Sequence, residues 1–136
     1  MRFLIIVNAT PISETGAMPE EKLMAAMSDY HEELARAGAL LDASGLLPSS
    51  AGWRIRYNGC ERSVVAGPFD DGDNLVAGYT LIQARTRAEA LEWSRRFPNP
   101  RGEGLPAEIE VRPLFELEDF APSHAVDRFR QLSAGK

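Results

Sequence analysis

A chain of 136 residues, 44% hydrophobic and 26% charged, has the size and make-up of one folded domain that can bury a core without disulfides or a structural metal. Long polar or repetitive tracts are missing from it, which argues against a disordered or fibrous protein. A formal charge of -5, with arginines scattered among carboxylates, argues against nucleic acid as the main partner, because phosphate binding needs a basic face.

Phe3 to Val7 is rich in β-formers and apolar at every position, so both faces of this strand call for cover. It is too short for a signal-peptide core, and no later segment approaches bilayer length. The loop that follows carries Pro11, Ser13, Thr15 and Gly16. A helix is expected from Pro19, with Glu20 and Glu21 in its first turn and an apolar stripe of Leu23, Met27, Tyr30 and Leu34, ending near Gly38.

Leu40 to Leu47 reads as a second strand, closed by Pro48-Ser49-Ser50. Trp53 to Tyr57 and Cys60 to Ala66 then flank Asn58-Gly59, the short signal of a hairpin with a type I′ turn. That turn would set Arg56 opposite Glu61, Trp53 opposite Val64 and Ile55 opposite Arg62. Cys60 is the only cysteine; no disulfide can form within the chain, and a reducing cytoplasm is the expected location.

Beyond an acidic loop, Leu75 to Gln83 is again apolar on both faces, with Val76 and Ile82 on one and Ala77, Tyr79 and Leu81 on the other. Thr86 and Glu89 have the spacing of a capping box for a helix that carries Ala90, Leu91, Trp93 and Phe97 and stops at Pro98. Glu108 to Phe115 alternates as a strand, Ile109 and Val111 on one face, Glu110 and Arg112 on the other. Pro122 and Ser123 can open a short helix with Val126 and Phe129 as its apolar contacts.

The order β-α-β, hairpin, β-α-β matches an α+β, ferredoxin-like split βαβ fold with an inserted β-hairpin. Two helices cover one face of such a sheet. Because two strands are apolar on both faces, the second face calls for an outside cover, and a two-fold homodimer with facing sheets supplies it.

Ala66-Gly67-Pro68-Phe69, Ala77-Gly78-Tyr79, Glu89 to Trp93, Phe97-Pro98-Asn99-Pro100 and Ile109 to Pro113 together resemble the YCII-related proteins of the DGPF type. The first strand, Met18-Pro19, Glu32-Glu33-Leu34, Ala37-Gly38 and Gly45-Leu46 extend the likeness to the amino half. The resembling domain would span residues 1–121, leaving residues 122–136 as a helical tail. The resemblance implies a dimeric α+β barrel, a bacterial cytoplasmic setting and a small-molecule pocket of unassigned chemistry. Some relatives occur with extracytoplasmic-function sigma factors, which implies the alternative of an accessory regulatory module. The family's leading aspartate is Ala66 here, and Asp70 to Asn74 replace its Ala-Glu-Thr-Lys-Glu run. Leu47 and Met27 stand about where relatives carry histidines, so an acid or base at either place is lost.

Asp70, Asp71 and Asp73 lack the spacing of a calcium loop, and no metal or cofactor is expected. The two histidines, His31 and His124, lie far apart without a nucleophile elbow, which removes the case for a serine triad. Cys60 has no neighbouring cation to activate it, and Gly102-x-Gly104 lacks the third glycine of a dinucleotide site. The candidates for proton transfer are Tyr30, His31 and Glu110. Those for holding a small polar or anionic ligand are Arg112, Tyr79, Asp70 and Ser49. An enclosed polar pocket around Tyr30, Arg112 and Asp70 would mark an enzyme; an exposed apolar patch near Val126 and Phe129 would mark an interaction module.

Overall fold

The computed structural model describes residues 1–134. Six strands and three α-helices alternate as β1 (Arg2–Asn8), α1 (Glu21–Arg36), β2 (Leu40–Gly45), β3 (Trp53–Asn58), β4 (Glu61–Ala66), β5 (Val76–Gln83), α2 (Arg87–Arg95), β6 (Ile109–Pro113) and α3 (His124–Ala134). Four strands form one antiparallel sheet in the order β2-β5-β1-β6, while β3 and β4 make a separate two-stranded hairpin. This is the ferredoxin-like α+β plan, with the hairpin inserted between its halves.

The alternation within the strands decides what each face does. Ile5 lies between Thr80 and Val111, and these side chains face the helices. Phe3, Ile5 and Ile82 pack there against Tyr30 and Leu34 of α1 and Trp93 of α2 to form the core. Tyr30 and Leu34 are the deepest members of the helix's four-three-four stripe. Thr86 caps α2 by accepting the Glu89 amide at 3.1 Å, whereas the Glu89 carboxylate reaches past the cap residue to the Arg85 amide.

Several boundaries depart from the sequence-based expectation. The first helix begins at Glu21, because Glu20 is extended (ψ 150) and only its carbonyl, bonded to the Met24 amide, belongs to the helix. β2 ends at Gly45; Leu46 adds one more bond, to the Ala77 carbonyl, before Pro48 removes a donor. β6 is confined to Ile109–Pro113, followed by one further bond from Leu114 to Arg2.

The hairpin register is the larger correction. Asn58 faces Glu61, Ile55 faces Val64 and Trp53 faces Ala66, so Gly59-Cys60 forms the turn instead of Asn58-Gly59. A type I′ turn at Asn58-Gly59 requires positive φ at both residues, and among the described residues only glycines have it, Gly59 at 63° included. The slip is two residues, so every side chain keeps its face. Ile55 meets Val64 instead of Arg62, and Arg62 lies over the Tyr57 ring at 4.9 Å.

Little covers this body on its remaining sides. α3 buries none of its residues, with Phe129 60% and Leu132 67% exposed. The chain exposes 10235 Å², whereas a folded monomer of 15.0 kDa is expected to expose about 7,000 Å².

Candidate functional site

The sheet face turned away from the helices carries two rows of side chains across all four strands. Ser44, Tyr79, Ile6 and Glu110 make one row; Asp42, Leu81, Leu4 and Arg112 make the next. Leu4, Ile6, Tyr79 and Leu81 are half-buried and form an apolar floor along the central strands. Polar pairs stand at both margins. At the β2 margin the Tyr79 hydroxyl donates to the Asp42 carboxylate at 2.8 Å. At the β6 margin Arg112 Nε lies 3.7 Å from Glu110 Oε2, both exposed, while the Arg2 guanidinium donates to Glu116 at 2.8 Å. At 3.7 Å the contact with Glu110 is loose and the Arg112 side chain is 72% exposed, so its guanidinium keeps donors free for a carboxylate or phosphate ligand.

The other proton-transfer candidates lie beneath the sheet. Tyr30 is buried, donates to the Trp93 carbonyl at 2.8 Å, and packs edge-to-face with Trp93 and Phe97. Burial pushes its hydroxyl up to about 12, which unsuits it to proton exchange near neutrality. His31 Nδ1 lies 2.7 Å from the Met27 carbonyl and Nε2 lies 2.8 Å from Thr80 Oγ1. A carbonyl only accepts, so Nδ1 carries the proton, and in the neutral ring Nε2 accepts from the Thr80 hydroxyl. Both ring nitrogens are thus occupied within the fold.

Ser49 belongs to a third group of residues. Its hydroxyl donates to the Glu14 carboxylate at 2.5 Å and accepts from the Phe69 amide at 3.0 Å, while its own amide donates to Glu14 at 2.9 Å. These bonds, the side-chain one first, hold the Glu14 carboxyl below its usual range. Arg54 forms a two-pronged pair with Asp71 and lies 4.0 Å above the Phe69 ring. That contact lowers the Asp71 pKa and raises that of Arg54, mainly through the shared hydrogen bond. The Gly67–Pro68 peptide is cis. The acidic loop is therefore a latch for the base of the hairpin, from which Asp70 points to solvent. Among the described residues no group of His, Cys, Asp or Glu side chains is placed to hold a metal.

Tyr30, Arg112 and Asp70, whose enclosure in one polar pocket would mark an enzyme, stand apart in this chain: the first lies in the core, the second on the opposite face of the sheet, the third on the latch loop. Two small cavities, of about 130 and 220 Å³, open between α2 and β6, and neither is lined by a candidate residue. What the fold does bring together is Tyr79, Glu110 and Arg112, and it adds Asp42, which sequence reasoning missed. Thr80, Glu14 and Arg54 were also missed. A polar residue at an inward strand position was the one available signal, for Thr80.

No helix among the described residues is long and apolar enough to cross a membrane. The model of the YCII-related domain matches residues 1–115, the stretch that holds the whole sheet, the latch and the hairpin. An uncharacterised protein of Rhizobium meliloti (strain 1021) is 30% identical over 95 residues, covering 70% of this chain and 75% of its own. With all six strands and the first two helices inside the match, the chain belongs to the YCII-related domain family.

Proposed function

We propose that the protein works as a homodimer whose sheets face each other, and that the chamber between them holds a small polar or anionic ligand. The observation that carries this reading is the open sheet face, an apolar floor of Leu4, Ile6 and Leu81 with Tyr79–Asp42 on one margin and Glu110–Arg112 on the other. A facing sheet would bury the floor and place the marginal groups where water is scarce, strengthening a guanidinium's hold on an anion. The excess of surface over a monomer of this mass, about 3,000 Å² per chain and so about 6,000 Å² for two, reaches the upper range of what an obligate dimer covers. Glu110 would be the one candidate left for proton transfer, since Tyr30 and His31 are committed to the core. A reducing cytoplasm suits the exposed Cys60 thiol.

Native mass spectrometry of the purified protein tests this reading. Expected is a dimer carrying a small-molecule mass that disappears in Arg112→Met. A monomer, or a dimer that releases no ligand and takes up none from a panel of small carboxylates, removes it.

A second reading rests on α3. The exposure of Phe129 and Leu132 on α3, and of Phe115 and Phe120, whose rings meet at a tilt 5.0 Å apart, favours an interaction module acting with a transcription regulator of the sigma-factor type. Truncation after Phe120 separates the two: it spares ligand binding in the first reading and abolishes regulator binding in the second.

A further inference from the structure

The β3–β4 hairpin has one face with a task and one without. On the first, Arg54 ties the base of the arm to Phe69 and Asp71. On the second lie Trp53, Ile55, Tyr57 and Val64, exposed by 67%, 40%, 68% and 70%. A two-stranded ribbon is marginal in water by itself, and an apolar ribbon face of this extent calls for cover.

Three observations point to a second copy of this chain as the cover. The surface excess over an ordinary monomer of this mass remains after the two helices have covered one side of the sheet. The segment that joins the open sheet to the arm is itself apolar and uncovered: the chain leaves β2 through Leu46 and Leu47, 51% and 79% exposed, with Leu46 still bonded to Ala77 of β5. The charges also complement. Besides Arg54, which Asp71 already holds, the arm carries Arg56 and Arg62 against Glu61, whereas the chain as a whole is at -5, so the arm is drawn to the acidic body of an identical molecule.

We infer that the hairpin is an exchanged arm, seated by Trp53, Ile55 and Val64 on the second copy, where it closes one margin of that copy's sheet-face chamber. Each chamber is then incomplete without a residue of the other chain, and Trp53, a large aromatic at the base of the arm, is its anchor. This rests on the facing-sheet reading and adds to it which element of one chain reaches the site of the other.

Cys60 is the sole cysteine, exposed at the arm's tip, and gives a direct test. A benzophenone maleimide is attached to it, and protein grown on light and heavy nitrogen is mixed, equilibrated and irradiated. Cross-links between light and heavy chains that end in peptides of the sheet or its β2 margin are expected. Cross-links confined within one chain, or none, overturn the arm. The same sample by sedimentation tells the two ideas apart: a dimer without inter-chain cross-links leaves the facing sheets standing, whereas a monomer removes both. As a second measurement, Val64→Asp, at an exposed site whose change leaves the core intact, is expected to weaken the dimer about tenfold or more. An unchanged dissociation constant, or wild-type binding to anionic vesicles in preference to a second copy, also overturns the proposal.

Discussion

The carbonyl oxygen of Ser49 lies 1.9 Å from the point that a Cβ on Gly67 would occupy. Glycine is therefore needed there for closeness, not for an unusual φ, and it lets the latch loop lie flat on the Ser49 backbone. Gly67→Ala forces two backbone segments apart and should destabilise the protein by about 2 kcal/mol or more in urea unfolding. Gly78→Ala, whose Cβ would meet Ser44 O at 3.1 Å, is the milder control. Equal effects from both would refute the close-approach argument.

His31 and Thr80 join α1 to the sheet through a single hydrogen bond at 2.8 Å. Thr80→Val keeps the shape of the side chain but leaves Nε2 of the ring without its donor beneath the helix, which should cost about 1–3 kcal/mol. Nitrogen NMR of the neutral His31 ring should show the Nδ1-protonated tautomer, fixed by the Met27 carbonyl. A ring protonated on Nε2 would mean that the Thr80 hydroxyl accepts instead of donates.

Much of the fold was legible because it depends on local pattern. The double-sided apolar runs of β1 and β5, the stripe ending in Tyr30 and Leu34, and the Thr86 cap each follow from period or side-chain chemistry within one segment. The hairpin register was not, because Asn58-Gly59 and Gly59-Cys60 both place a glycine where positive φ is needed and the ladder as a whole decides between them. The site was only half legible for the same kind of reason. Alternation told that Glu110 and Arg112 share a face, but only pairing through β1 says that Tyr79 is on it and Tyr30 is beneath it. Asp42 could not be found without knowing that β2 lies beside β5.

Acid should loosen the latch before the core. The Glu14 and Asp71 carboxyls are both held below their ordinary values by hydrogen bonds from Ser49 and Arg54. A depressed folded-state value means that their support is present above the unfolded carboxyl range and is lost as pH falls through the folded value. Hydrogen exchange at low pH should show the Ser49 and Phe69 amides losing protection ahead of the Ile5 amide in the central strand, and Glu14→Gln should flatten that dependence. Loss of protection at all three amides together would assign the acid sensitivity to the whole sheet.

Alkali acts on the other side of the molecule. Tyr30 is raised from 10.0 to about 12 by burial, so the folded state keeps a proton that the unfolded chain gives up. Its contribution is complete below pH 10 and declines as pH rises toward 12, a loss of about 3 kcal/mol over that span. Tyr30→Phe removes the decline. At neutral pH it should cost only about 1 kcal/mol, because the Trp93 carbonyl keeps the Arg96 amide as a donor at 3.2 Å. Urea midpoints at pH 8 and pH 11 for the two proteins check both parts, and parallel declines would show that the hydroxyl proton is not what the core retains.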